Sequence, residues 1–99
     1  MRPIHTATLD KARPVLVLTR ELVRPHLTSV SVAPITSTIR GLSTEVRVGS
    51  RNGLSQDSVV ACDHITTIPV NALGEQIGLL LEDQESSLTE AIHAAFHLD

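Results

Sequence analysis

The stretch RPVLVLT, residues 13–19, decides the fold of this 99-residue chain. Its centre is an unbroken run of four apolar residues, Val15 to Leu18. Such a run predicts a β-strand over 14–19. Because the run lacks polar alternation, the strand is expected to be buried on both faces or central in its sheet. Arg13 therefore directly precedes a strand expected to be buried, on a backbone that Pro14 stiffens.

Several other segments predict strands around this one. They are 3–9, 29–38, 44–48, 57–62 and 65–69, while 74–81 fits a strand or a helix. Pro34 interrupts one of them and cannot donate to a ladder, so it predicts an edge strand or a bulge. Asn52-Gly53 is the strongest turn signal. Residues Arg20 to Leu27 predict one helical turn, which Pro25 ends.

The C-terminal segment predicts an amphipathic helix with Asp83 or Ser87 as its N-cap. Its apolar residues recur at the spacing of one helix face: Leu88, Ala91, Ile92, Ala95 and Phe96. Five or six short strands and one helix predict a mainly β fold with α. We expect a small, strongly curved β-barrel with the helix docked on it, in a single domain over 1–99.

The charges divide unevenly along the chain, whose overall net charge is −3. Residues 1–51 hold all eight basic residues and three acidic ones, a net charge of +5, whereas residues 52–99 hold eight carboxylates and no Lys or Arg. The basic part suggests a polyanionic partner, although basic residues scattered over a solvated surface explain it about equally well. Phe96 is the single aromatic residue, so base stacking on aromatic side chains is improbable.

Other classes of site find little support. The single cysteine, Cys62, excludes an intrachain disulfide and a multi-cysteine zinc site. No apolar run is long enough to span a bilayer and no signal peptide is evident, which predicts a soluble cytoplasmic protein. His93 and His97 have metal-ligand spacing but no third ligand, and a helix-terminal role is favoured for them.

Two arrangements could carry chemistry. Residues 62 and 64 of an extended strand share one face, which would place Cys62 beside His64, but a strand cysteine is more often an inert core residue than a nucleophile. Arg13 and Thr36 each stand at a strand boundary or break. An arginine fork suits a phosphodiester, because it makes two charge-assisted hydrogen bonds. Taken alone, a surface role for Arg13 is still favoured.

Three motifs then occur in a fixed order: RPVLVLT at 13–19, VAPITS at 32–37 and DSVVACDHITTI at 57–68, followed by the helix. Together they resemble the MazF/PemK family of toxin endoribonucleases, the toxin halves of type II toxin–antitoxin modules. The resemblance implies a homodimer of SH3-like barrels, a fold shared with the gyrase poison CcdB. It implies cleavage of single-stranded RNA at short motifs, without a metal or other cofactor. It also implies a MazE-like antitoxin whose C-terminal tail fills the RNA groove.

The resemblance assigns site residues by motif. The catalytic arginine and threonine fall on Arg13 and Thr36, and the aspartate of the family's CDQ pattern falls on Asp63, followed here by His64 instead of glutamine. RNA-binding side chains are expected around them: Lys11, Ser37, Thr38, Arg40 and His64. Arg20 and Arg24 are further expected phosphate contacts.

The sequence also departs from the family pattern. The first loop shrinks to about 10–12, and Ala61 and Thr66 stand where family members can carry arginines. Catalytic duty is then expected to fall more heavily on Arg13, shared with His64, His5 or Lys11. Two alternatives without catalysis stay open. One is a CcdB-like gyrase poison, against which the lack of tryptophan weighs, and the other is a catalytically dead barrel that binds an antitoxin.

Overall fold

The computed structural model describes residues 1–20 and 26–98. Within them the chain forms seven strands and one α-helix. The elements are β1 (Arg2–Thr8), β2 (Ala12–Val17), β3 (Ser29–Thr36), β4 (Glu45–Val48), β5 (Ser58–Ala61), β6 (Thr66–Pro69), β7 (Leu73–Leu80) and α1 (Glu85–Phe96). The ambiguous 74–81 segment is thus a strand. The helical turn predicted from Arg20 to Leu27 depends on residues 21–25, which lie outside the described residues.

The strands form one curled antiparallel sheet, a half-barrel, in the order β4-β5-β3-β2-β1-β7, with β6 also paired to β3. The helix α1 packs on this sheet. The predicted mainly β fold, a strongly curved β-barrel type with a C-terminal helix, is therefore confirmed. Strand β2 occupies a central place between β1 and β3.

The apolar run of β2 is buried on both faces of the sheet from Val15 to Val17, as predicted, whereas Leu18 follows the end of the strand and is half-buried. Leu16 lies in a core shared with Leu88 and Ala91 of α1, while Val15 and Val17 lie in a second cluster on the opposite face. Each of these β2 side chains is at most 1% exposed. Burial of one such side chain stabilises the fold by roughly 1.5 to 3 kcal/mol, so β2 is firmly anchored.

The prediction of an edge strand or a bulge at Pro34 is wrong. Strand β3 is central and pairs with β2 in regular register, Pro34 opposite Val15. On its other side β3 pairs with β6 as far as Val32 and with β5 from Ile35 onward. Pro34 lies in the gap between these two partners, where a strand can lack a donor without losing a ladder bond.

Two details of the helix prediction are also wrong. The helix begins at Glu85, and its N-cap is Gln84 rather than Asp83 or Ser87. Phe96, expected on the apolar face, is 53% exposed. It is the last residue of the helix, before His97, whose φ of 56° is in the left-handed region. The apolar face of the helix is therefore not buried at its C-terminal end.

Opposite charges from the two parts of the chain pair across the fold. Arg2 Nε lies 3.1 Å from Glu85, and Arg51 Nη2 lies 2.8 Å from Asp83. These pairs offset part of the charge asymmetry along the chain, and other basic residues of the first part line two surface cavities.

Candidate active site

Arg13 is the second residue of β2 and pairs with Ala7 of β1. The strand begins at Ala12, two residues earlier than predicted, because its ladder with β1 continues to the turn. The side chain of Arg13 is 28% exposed, and its Nη2 lies 3.3 Å from the carboxylate of Asp10. Its Nε is buried and has no hydrogen-bond partner among the described residues. The guanidinium is thus held at the rim of the sheet with donor capacity to spare.

Thr36 ends β3 and is half-buried. Its Oγ1 accepts a hydrogen bond of 3.1 Å from the backbone amide of Thr38. Since an accepting hydroxyl keeps its own proton for donation, the Thr36 O–H remains available as a donor. Strand β3 ends here, two residues before the predicted end, and 37–40 leave the sheet.

Two cavities flank Arg13 and Thr36. The first cavity has a volume of about 450 Å³ and the second about 460 Å³. Three side chains line both cavities: Arg13, Thr36 and Thr38. The first cavity is also lined by residues from 40–45 and 61–66, which we call the first wall, and the second by residues from 54–58, the second wall.

The structure brings all eight predicted site residues to these cavities. Besides the shared side chains, Arg40, Asp63 and His64 line the first cavity, and Lys11 and Ser37 line the second. Other candidates lie elsewhere. His5 Nδ1 is 2.9 Å from the carbonyl of Gly74 and lines neither cavity, and Arg20 lines a different depression beside Arg2. Arg24 lies outside the described residues.

Asp63 lies in a single 3-10 turn, Cys62–His64, that follows β5. Its Oδ2 accepts a hydrogen bond of 2.6 Å from Thr44 Oγ1, which joins the two segments of the first wall. The backbone amide of Cys62 also donates to the carbonyl of Thr44, at 3.0 Å. One carboxylate oxygen of Asp63 is thereby oriented, on an exposed side chain that lines the first cavity.

Cys62 does not share a face with His64, because 62–64 is a turn rather than a strand. Cys62 is fully buried in the core, whereas Asp63 and His64 are exposed. Burial, with a smaller contribution from the charge of Asp63, raises the pKa of the Cys62 thiol from 9.0 to about 11. A buried thiol that stays protonated is a poor nucleophile, so the core interpretation is the one that fits.

Some residues that line the cavities, or that contact a side chain lining them, were not predicted from the sequence. They are Asp10 beside Arg13, Thr44 and Glu45 in the first wall, and Gln56 in the second. Asp10 lies three residues before Arg13, in the shortened first loop, and this nearness in sequence is a local signal for the contact. The others come together through contacts between distant segments, for which a single sequence carries no local signal.

Neither a metal centre nor a membrane span is found in the described parts of the chain. No group of three or more His, Cys, Asp or Glu side chains there could hold a metal ion. His93 lies in the last turn of α1, where its carbonyl accepts from the backbone amide of His97. No helix within 1–20 and 26–98 is both long and apolar enough to cross a membrane.

Comparison with known proteins gives consistent matches. Residues 3–96 match the family described as the PemK-like, MazF-like toxin of type II toxin–antitoxin systems. The whole chain is 69% identical over 99 residues to Endoribonuclease MazF3 of Mycobacterium tuberculosis (strain CDC 1551 / Oshkosh), covering 96% of that relative.

Solved structures agree with this. The Mycobacterium tuberculosis toxin MazF-mt6 superposes with a TM-score of 0.97 at 68% identity, over 99% of both chains. A MazE–MazF structure from Deinococcus radiodurans superposes with a TM-score of 0.82 over 98% of this chain and 93% of that one, and its 19% identity shows the fold alone. The chain therefore belongs to the PemK-like, MazF-like toxins of type II toxin–antitoxin systems and is, at the level of that family, a MazF-type endoribonuclease.

Proposed function

We propose that this protein cleaves single-stranded RNA at short sequence motifs by attack of the RNA's own 2′-OH on the adjacent phosphate, without a metal ion. The products are a 2′,3′-cyclic phosphate or 3′-phosphate and a 5′-OH, and cleavage of messenger or ribosomal RNA inhibits translation and growth. The observation that carries the proposal is the position of Arg13 and Thr36 at the junction of two cavities. A scissile phosphate held at this junction has one nucleotide in each cavity.

Arg13 is the proposed clamp for that phosphate. Attack by the 2′-OH concentrates negative charge on the non-bridging oxygens, and a fixed guanidinium opposes that charge best where solvent is partly excluded. In the free protein one arm of Arg13 contacts Asp10, whose side chain is 78% exposed. An ion pair this exposed contributes little, about 1 kcal/mol or less, so a phosphate oxygen can replace the carboxylate at small cost.

Thr36 supplies a second donor to the same phosphate. Its oxygen already accepts from the amide of Thr38, which fixes the hydroxyl and directs its proton elsewhere. Thr36→Val is therefore expected to lower kcat by about 10² and Thr36→Ser to retain most of it, by analogy with the loss of one oxyanion donor. Rapid-quench cleavage of an oligonucleotide measures both variants.

The proton transfers need groups other than arginine, which stays charged in water. We assign them to the side chains that line the first cavity together with Arg13, namely Asp63 and His64. Thr44 orients Asp63, and an imidazole is suited to both acid and base roles. His64→Gln is expected to change the pH–rate profile, and an unchanged profile would remove His64 from the mechanism. Lys11 lines the other cavity, where it can meet the RNA backbone.

Recognition follows from the same geometry. Single-stranded RNA exposes base edges that polar side chains can read, and both cavities offer hydroxyl and charged groups. The three basic residues Lys11, Arg13 and Arg40 line the cavities. Contacts of these residues with phosphates make binding salt-sensitive, with log K falling by roughly 0.7 per contact for each unit of log salt.

The relatives suggest the partners. A structurally similar mycobacterial protein is described as an endoribonuclease in complex with its cognate antitoxin, and the Deinococcus radiodurans structure is a MazE–MazF complex. We infer that this chain forms a homodimer in the cytoplasm. A MazE-like antitoxin is expected to inhibit it by placing an acidic or extended tail in the cavities that receive RNA.

The experiment uses purified protein and single-stranded RNA in the presence of EDTA. Cleavage is expected to persist in EDTA and to stop when the nucleotide on the 5′ side of the cut carries a 2′-deoxyribose. Cleavage of the 2′-deoxy substrate would contradict attack by the 2′-OH. Loss of cleavage of the unmodified RNA in EDTA would contradict a mechanism without a metal ion. Failure to cut any RNA would instead favour a non-catalytic barrel, either a gyrase poison or an antitoxin-binding protein.

A further inference from the structure

The loop between β3 and β4 is closed by a side chain at its own end. Glu45, the first residue of β4, accepts hydrogen bonds from three successive backbone amides. The distances to its Oε1 are 3.2 Å from Arg40, 2.9 Å from Gly41 and 3.2 Å from Leu42. The backbone amide of Glu45 in turn donates to the carbonyl of Leu42, at 3.1 Å. Residues 40–42 are thus bound to the start of the strand from both directions.

The backbone of this loop is shaped to receive an anion. Gly41 has a φ of +73°, in the left-handed region, and successive N–H groups around such a residue form an anion-binding concavity. Here the chain's own carboxylate fills it. Hydrogen bonds to a charged acceptor are roughly twice as strong as neutral ones, so the carboxylate is a firm anchor for the loop.

The place of Glu45 is unexpected for a protein that binds a polyanion. Its side chain lines the first cavity together with Arg13 and Arg40. By charge alone, a carboxylate there repels phosphate and weakens RNA binding. What it holds is the part of the first wall that presents Arg40 and Leu42 to the cavity.

We propose that Glu45 is a positioning residue for RNA: it fixes residues 40–42 so that Arg40 and Leu42 meet the nucleotide that enters the first cavity. This inference rests on the proposed function. Glu45 acts on binding rather than on the chemical step, because its hydrogen bonds hold residues 40–42. The residues proposed for the chemical step lie on other elements: Arg13 on β2, Thr36 on β3, and Asp63 and His64 in the 62–64 turn.

The test compares Glu45→Ala and Glu45→Gln with Glu75→Ala, which removes an exposed carboxylate on β7 that lines neither cavity. Glu45→Ala is expected to raise KM for an oligonucleotide about tenfold, with kcat within about twofold, because charged hydrogen bonds that order the wall are lost. Glu45→Gln keeps an acceptor oxygen and is expected to restore most of the affinity. An unchanged or lower KM in Glu45→Ala, as charge removal alone predicts, would overturn the proposal.

A double-mutant cycle tests whether Glu45 acts through Arg40. In an Arg40→Ala background, Glu45→Ala is expected to raise KM by less than about threefold, because the cation it positions has gone. Full additivity of the two substitutions would contradict positioning of Arg40.

Amide hydrogen exchange separates this inference from the proposed function, since it needs no RNA. The amides of residues 40–42 are expected to exchange about tenfold faster in Glu45→Ala, with β2 unchanged. If the wild type cleaves no RNA, the proposed function fails and the exchange rates still decide whether Glu45 holds the loop. If the wild type cleaves while Glu45→Ala keeps the wild-type KM, the inference alone is overturned.

Discussion

The two walls beside Arg13 are built differently. In the first wall, Glu45 accepts from three loop amides and Asp63 accepts from Thr44, so hydrogen bonds within the protein hold both segments of the wall. In the second wall, Ser55 and Gln56 are exposed. Ser58 Oγ donates to the backbone carbonyl of Gln56 and not to its side chain, so the side-chain amide of Gln56 stays at the surface. The first wall is therefore fixed before RNA arrives, and the second keeps side-chain groups for RNA.

The largest expected effect comes from the residue that both cavities share. Arg13→Ala is expected to lower kcat by about 10² to 10³ or more, since a preorganised charge at the developing anion contributes roughly 3 to 4 kcal/mol. The loss should be the same for every RNA sequence, because the residue acts on the phosphate and not on a base. Single-turnover cleavage measures it.

Arg13→Lys is the matched control, because it keeps the charge but not the planar fork. It should retain part of the activity, and circular dichroism should show both variants folded. Wild-type cleavage by Arg13→Ala would remove Arg13 from the chemistry.

Two glycines with positive φ, one in the first wall and one just before the second, are expected to differ in how much their substitution by alanine destabilises the fold. Gly53, at φ +85°, precedes the second wall, and a Cβ there would collide with the backbone carbonyl of Ile77. Gly53→Ala is expected to lower the free energy of unfolding by about 3 kcal/mol, through the collision and the left-handed strain together. Gly41, at φ +73° in the first wall, has open space around it, so Gly41→Ala should cost only about 1 kcal/mol.

Urea unfolding measures both glycine variants. An equal decrease in the free energy of unfolding for both variants would show that the backbone of Gly53 does not lie as close to Ile77 of β7 as the collision requires. Gly41→Ala should also weaken RNA binding, because its strain falls on the loop that Glu45 holds, although it destabilises the fold less than Gly53→Ala does.

Behind the first wall, Cys62 gives a pH test. Its pKa of about 11 in the folded protein lies above the ordinary value of 9.0, so the folded state keeps a proton that the unfolded state loses. The stability this contributes is complete below pH 9 and is lost as the pH rises toward 11, by at most roughly 2 to 3 kcal/mol.

Urea unfolding of wild type and Cys62→Ala between pH 8 and 11 isolates this effect. The chain has no tyrosine and Lys11 is its single lysine, so few other groups titrate in that range. The difference between the two proteins should shrink with rising pH. A constant difference would mean that the thiol is not shielded from water as its burial implies.

The smallest expected effect is in the second wall. Gln56→Ala should change the preference for one base by about threefold to tenfold, because a side-chain amide can read a base edge, with kcat on a preferred substrate nearly unchanged. Sequencing of fragments from a randomised RNA pool measures this. Ser55→Ala is the neighbouring control, and an unaltered motif in both variants would leave the second wall without a reading role.

Much of this arrangement follows from local sequence pattern. The unbroken apolar run predicted that β2 is buried on both faces, and the family resemblance predicted eight site residues, all of which line the two cavities. Pro34 shows the limit of such reasoning: the missing donor was evident, but a gap between β6 and β5 on one side of a central strand depends on the whole topology.

The first wall marks the same limit at the site. Thr44 and Asp63 are 19 residues apart, and the role of Glu45 depends on the backbone of a loop with one left-handed residue. Neither follows a period of 2 or 3.6, so no pattern indicates them. Likewise, Cys62 and His64 do not share a face, because residues 62–64 form a 3-10 turn and not the strand on which alternate residues would point the same way.

The central claim is that the junction of the two cavities directs the RNA's own 2′-OH onto the phosphate that Arg13 holds. The most direct test is to identify the fragment ends by mass spectrometry after cleavage in EDTA, for wild type and Arg13→Ala. Wild type should leave a 2′,3′-cyclic phosphate or 3′-phosphate and a 5′-OH, and Arg13→Ala should leave nearly all of the RNA uncut over the same reaction time. A 5′-phosphate on the wild-type product would contradict the account.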